Sequence, residues 1–124
     1  MKIVNSHEIK GHTAAGGRLT RILLDHETGL EDAAVVQVDF AEGTASEFHA
    51  REGQCEILYS LKGVNAVGYP DGRRDLLPEG AAAYMPPGIE HRHENGGTPM
   101  ATLLVVFIPP GSVTDAVRKR PLED

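Results

Sequence analysis

Two short stretches of this chain concentrate the side chains that can do chemistry. The first runs Gly43-Thr-Ala-Ser-Glu-Phe-His49-Ala-Arg51-Glu-Gly-Gln-Cys-Glu56 and continues to Gly63. The second runs Gly80-Ala-Ala-Ala-Tyr-Met-Pro86-Pro-Gly88-Ile-Glu-His91-Arg-His93-Glu-Asn95. Side chains two apart on a strand project to one face, so His49 shares a face with Arg51, and His91 with His93 and Asn95. Imidazoles, a carboxylate and a guanidinium gathered in this way can build a polar pocket. Arg51 contributes a permanently charged fork suited to a carboxylate or phosphate, and it has no lone pair to offer a cation.

Positioning these groups requires turns at defined places. Arg51 and Glu56 are five residues apart, which puts them on opposite faces of an uninterrupted strand. Gly53 between them can supply a turn or bulge that resets the phase, so that Glu56 points back toward His49 with Leu58 and Ser60 on the same face. Pro86-Pro87-Gly88 reads as a tight turn that ends one strand and aims the next, which fixes His91.

The apolar residues fall in short runs punctuated by Gly, Pro and Asp, the pattern of strands rather than helices. Strands are predicted near Leu19 to Leu24, Ala33 to Phe40, Cys55 to Leu61, Asn65 to Tyr69, Arg73 to Leu77, Ala81 to Met85, His91 to Glu94 and Ala101 to Ile108. Asp71-Gly72 marks a hairpin turn, and the Gly11 to Gly17 segment reads as a flexible loop. Many short strands without a helical period imply an all-β sandwich or barrel. Leu103 to Ile108 is apolar on both faces, so a second layer or a partner chain is expected to cover it, and a homodimer is the expectation. Ser112 with Asp115 three residues later predicts a capped start to a short C-terminal helix, with Arg118-Lys119-Arg120 as its solvated basic end.

The chain has 124 residues, which bounds it to one domain over 1–124. Aromatic residues make up only 5% and Trp is absent, so Val, Leu, Ile and Ala must build the core. A net charge of −6 gives no electrostatic footprint for nucleic acid or anionic lipid. The N-terminus lacks an extended apolar segment and nothing approaches a membrane span, so a cytoplasmic protein is expected. The single cysteine, Cys55, excludes an intramolecular disulfide and reads as a half-buried strand residue. His7, His12 and His26 lie outside both stretches and read as surface residues.

The two stretches together resemble the paired motifs of the cupin superfamily. The second motif, G-x5-P-x-G-x2-H-x3-N over residues 80–95, is matched at every specified position by Gly80, Pro86, Gly88, His91 and Asn95. The first, G-x5-H-x-H-x3-4-E-x6-G over residues 43–63, is matched by Gly43, His49, Glu56 and Gly63, with Arg51 where the pattern has its second histidine. The resemblance implies a single-domain double-stranded β-helix, or jelly-roll, barrel. It also implies that His49, Glu56 and His91 bind one divalent transition metal, either Fe, Mn, Ni or Zn. Two imidazoles and a carboxylate suffice for a facial triad with open positions. Arg51 and His93 are then the expected substrate-binding residues, and the alternative role for His93 is a fourth metal ligand.

Three functions follow from that resemblance. One is a metal-dependent enzyme, of oxygenase or isomerase type, acting on a small anionic or oxygenated substrate in the barrel pocket. Another is a non-enzymatic, metal-free barrel that binds a small molecule. The third is an accessory protein with a relic pocket, in which Arg51 pairs with Glu56. Fold alone does not choose among them.

Overall fold

The computed structural model describes residues 1–124 and contains nine strands and one short helix. The strands are β1 (His12–Ala14), β2 (Arg18–Leu24), β3 (Ala34–Ala41), β4 (Cys55–Lys62), β5 (Asn65–Gly68), β6 (Arg74–Leu77), β7 (Ala82–Met85), β8 (Arg92–Asn95) and β9 (Met100–Ile108), followed by α1 (Val113–Arg118). They form a six-stranded sheet in the order β1-β2-β3-β9-β4-β7 and a three-stranded sheet in the order β6-β5-β8, with every pairing antiparallel. The all-β architecture with a short C-terminal helix agrees with the sequence reading, and each of the eight expected strands is present within a residue or two of its expected ends.

Strict alternation explains why β3 sits where it does. Ala34, Val36, Val38 and Phe40 are buried while the residues between them are only half-buried, as a period of two requires for a strand with one face on the core. Their inner-face counterparts on β9 are Leu103, Val105 and Phe107, and Leu58 on β4, Val67 on β5, Leu77 on β6 and Met85 on β7 close the same cluster from both sheets. Val113 of α1 belongs to it as well, so the helix plugs one end of the space between the sheets. Each such side chain contributes roughly 1.5–3 kcal/mol through removal from water.

Three local expectations are corrected. Gly11 to Gly17 is not simply a loop, because His12–Ala14 pairs with β2, and Ala15–Gly17 makes a short 3-10 turn. The Thr13 amide also donates to the Pro121 carbonyl at 2.7 Å, so the edge strand is held partly by the chain's far end, which no local pattern could announce. Ser112 precedes α1 but makes no side-chain cap. Arg118 is not a solvated end: its guanidinium lies 2.7 Å from the carboxylate of Asp25, which is 1% exposed.

Candidate functional site

The two motif stretches meet through their backbones. His49 lies on an isolated bridge with His91, each amide donating to the other's carbonyl at 2.9 Å. Further along the same two segments, the Ser46 amide donates to the His93 carbonyl at 2.8 Å and the His93 amide donates to Ser46 Oγ at 2.9 Å. Between His49 and Glu56 the chain turns through Gly53, whose φ of 71° is a left-handed conformation that glycine adopts without penalty. This turn brings Glu56 onto the inner face of β4, between Met85 of β7 and Phe107 of β9.

Glu56 is the centre of the cluster. Its Oε1 accepts from His93 Nε2 at 2.8 Å and its Oε2 from His49 Nε2 at 3.1 Å. His91 Nε2 approaches Oε2 to 3.2 Å yet is buried without a hydrogen-bond partner. The ring centroids of His49 and His91 are 4.5 Å apart, and one donor atom from each of His49, Glu56, His91 and His93 lies within 4.8 Å of the others. The structure therefore brings the three residues expected as ligands together with His93, all four of which could face one cation.

Outward orientation of the rings is fixed from behind. His91 Nδ1 is 2.7 Å from the Ile89 carbonyl, so this ring donates there and keeps Nε2 as an inward lone pair, while His49 Nδ1 lies 3.2 Å from the Glu47 carbonyl. Burial alone opposes ionisation of Glu56, but hydrogen bonds from His49 and His93 and the close approach of His91 outweigh it and hold the carboxyl well below the usual carboxylate range. Burial likewise lowers His93, which is held neutral despite the Glu56 carboxylate. For His91 burial is overcome by the Glu56 carboxylate and the Ile89 carbonyl, and its pKa rises, with the charge of Arg51 opposing.

Arg51 does not pair with Glu56, whose partners are the histidines, so the arrangement expected of a relic pocket does not occur. Its side chain instead borders a cavity of about 160 Å³ between the sheets, together with His49 and His93. Val38, Phe40, Val105 and Phe107 supply the apolar wall, and Arg18 and Arg120 also line it. Sequence reasoning missed these last two. Arg18-Leu-Thr-Arg-Ile-Leu-Leu24 lacks a clean alternation that would have shown which side of β2 faces inward.

The remaining motif residues serve the frame. Asn95 Nδ2 donates to the Phe40 carbonyl at 2.9 Å and its Oδ1 accepts from the amides of Gly97 and Thr98. Cys55 is half-buried at the start of β4. His7 and His26 are exposed as expected, while His12 is half-buried, its Nδ1 3.0 Å from the Arg120 carbonyl. No helix is long and apolar enough to cross a membrane.

Residues 36–107 match the family described as the cupin domain. Comparison with curated protein sequences gives no match. Among solved structures, the chain is similar to a predicted oxalate decarboxylase from Thermotoga maritima, at 24% identity and a TM-score of 0.77, covering 87% of this chain and 99% of that one. It is similar to the polyketide cyclase RemF from Streptomyces resistomycificus, at 23% identity and a TM-score of 0.76, covering 87% and 79%. Ectoine synthase from P. lautus matches at 18% identity and a TM-score of 0.73, covering 94% and 86%. At these identities the likeness is one of fold, and the differing names of the three proteins leave the reaction open.

Proposed function

This chain belongs to the cupin domain family, and we propose that it is a metal-dependent enzyme acting on a small anionic or oxygenated substrate held in the barrel cavity, of oxygenase or isomerase type. One observation carries the reading: four donor groups, from His49, Glu56, His91 and His93, converge within 4.8 Å with His91 Nε2 buried and without a hydrogen-bond partner. An orphaned inward imidazole nitrogen beside an ionised buried carboxylate fits a divalent cation, and neutral imidazole with carboxylate is a donor set for Fe, Mn, Ni or Zn. His93 thus enters as a fourth ligand as well as a cavity residue. A bound metal would supply Lewis-acid polarisation or a template for substrate oxygens.

The chain's own groups do the rest. Arg51 borders the cavity beside His49 and presents a fork that can orient a substrate carboxylate. The apolar wall of Val38, Phe40, Val105 and Phe107 excludes water from the substrate's body and strengthens the charged contacts at its rim. The Ile89 carbonyl keeps the proton of His91 on Nδ1. A cytoplasmic setting and a homodimer formed through the outer face of the large sheet complete the proposal.

A second reading, a metal-free small-molecule binder, is favoured by the hydrogen bonds that His49 and His93 already give Glu56. Elemental analysis of protein purified without chelator or added metal separates the two. About one metal per chain, lost in His49→Ala and His91→Ala, supports the enzyme reading, and an empty site in protein that still binds small acids supports the binder.

A further inference from the structure

The chain contains eight arginines. Arg21, Arg73, Arg74, Arg92 and Arg118 each meet a carboxylate at between 2.7 and 2.9 Å. The three with no ion-pair partner, Arg18, Arg51 and Arg120, are the three that line the cavity. The Nε atoms of Arg18 and Arg51 are in addition buried and hydrogen-bonded to nothing. Buried donors of this kind are ordinarily satisfied, and a buried cation without a counter-charge is costly. Two such groups, with a third unpaired guanidinium beside them in one lining, point to an anion that occupies the space.

The arginines reach the cavity from three parts of the chain. Arg51 follows His49 by two residues and sits at the end of the cavity bordered by His49 and His93, its backbone carbonyl fixed by the Gly88 amide at 3.0 Å. Arg18 opens β2 and Arg120 follows α1, and these two are near enough that the charge of Arg120 adds to burial in lowering the Arg18 pKa. The Arg120 backbone is anchored by its amide to the Val117 carbonyl at 3.0 Å and by His12 Nδ1 to its own carbonyl at 3.0 Å. Arg51 and Arg120 are therefore mounted on held backbone, and the apolar wall, with Val117 added from α1, lines the same cavity.

We propose that the cavity selects a small dicarboxylate, one acid group engaged by Arg51 beside the histidine cluster and the other by Arg18 together with Arg120. This rests on reading the cavity as the substrate site. Charge agrees: the lining holds three guanidiniums against one carboxylate, Glu47, which leaves the two positive charges a dianion matches. Size agrees as well. A cavity of about 160 Å³ is close to the ~150 Å³ that admits benzene, so the ligand has roughly four to six carbons, its acid groups included. Thr20, two residues along β2 from Arg18 and also in the lining, offers a hydroxyl on the same face of that strand.

Calorimetric titration of the full chain with succinate, glutarate and adipate, against butyrate, pentanoate and hexanoate, tests this. At least one diacid is expected to bind ten-fold or more tightly than the monoacid of equal carbon count. Arg18→Gln and Arg120→Gln should each reduce that preference to about three-fold or less while leaving metal content unchanged, and Arg51→Gln should weaken diacid binding as well. Arg18→Lys, which keeps charge and loses the fork, should retain an intermediate preference and shows that the loss is not one of folding. Equal binding of diacids and monoacids by the unaltered protein overturns the proposal, as does an undiminished preference in Arg18→Gln and Arg120→Gln. Repeating the titration after chelator treatment keeps the two readings apart. A diacid preference that persists in protein unable to hold metal sustains this proposal and removes the metal-dependent one, whereas stoichiometric metal in protein without the preference does the reverse.

Discussion

His49 and His91 exchange both of their backbone hydrogen bonds, each amide to the other's carbonyl at 2.9 Å. Directly opposed residues of an antiparallel pair send their side chains to the same side, which is why the two rings meet with centroids 4.5 Å apart. Backbone register therefore brings these two imidazoles together, and residues 49 and 91 are distant in sequence only. Glu56 reaches them from the inner face of β4 and His93 from two residues further along the second stretch.

That register depends on the turn at Gly88, where φ is 81°, the amide donates to the Arg51 carbonyl, and an added Cβ would come within 3.2 Å of the Glu52 carboxylate. Gly88→Ala is expected to destabilise the fold by about 1–2 kcal/mol through the left-handed backbone alone. Chemical denaturation measures that loss, and metal affinity should fall with it because His91 is three residues away. An unchanged midpoint would show that the turn does not set the site.

Metal affinity should weaken in acid. The His91 pKa is raised, so its proton competes for Nε2 as pH falls from above the ordinary histidine value of 6.5; His93, whose pKa is lowered, competes only further down. Metal retention measured by dialysis across pH 8 to about pH 5 should fall toward the acid end in the native chain. Retention that holds level through this range would contradict the role given to His91.

Asp25 and Arg118 supply a stability term outside the site. Burial opposes ionisation of Asp25, but hydrogen bonds from Arg118 and the Glu27 amide bring its carboxyl down from 3.8 to about 2. The folded value lies below the unfolded one, so the contribution is present in full above 3.8 and is lost as pH falls toward 2. It amounts to about 2 kcal/mol. Acid melts should therefore show Asp25→Asn less stable than the native chain near neutrality, with the difference shrinking by about that amount on approach to pH 2. Parallel curves would refute the pairing.

The outer face of the six-stranded sheet carries a row in register, Tyr84 beside Ile57 beside Val106 beside Val35, with Tyr59 beside Leu104 in the next row. Ile57 and Tyr59 are exposed at 42% and 41% and Tyr84 at 63%, more apolar surface in one patch than an isolated barrel needs. The proposed homodimer would place a second copy of the chain on this face, and light scattering reads its mass directly. Ile57→Glu should shift it to monomer without unfolding it, and a monomer for the native chain at high concentration contradicts the prediction.

Much of this was legible in the sequence because it depended on local signals. Alternation in Ala34 to Phe40 and the Asp71-Gly72 turn gave strands and a hairpin, and the motif spacings marked His49, Glu56 and His91. The convergence of His93 with them was open, since a shared strand face does not say how far a ring reaches. What escaped was non-local. β1 is held by Pro121, Arg118 by a buried Asp25, and Arg18 and Arg120 come to one cavity from opposite ends of the chain. Nothing in their neighbourhoods records those partners.

The central claim is that His49, Glu56, His91 and His93 hold a divalent metal. The most direct test is the metal content of protein purified without chelator, read for the native chain beside His93→Ala and Glu56→Gln, with melts before and after chelation. The account predicts about one metal per native chain, loss of it in both variants, and a fall in Tm of roughly 10 °C when it is removed, the shift expected for a ligand present at about a hundred times its Kd. Native protein that carries no metal, takes none up from excess Fe, Mn, Ni or Zn, and melts at the same temperature with or without chelator would contradict it.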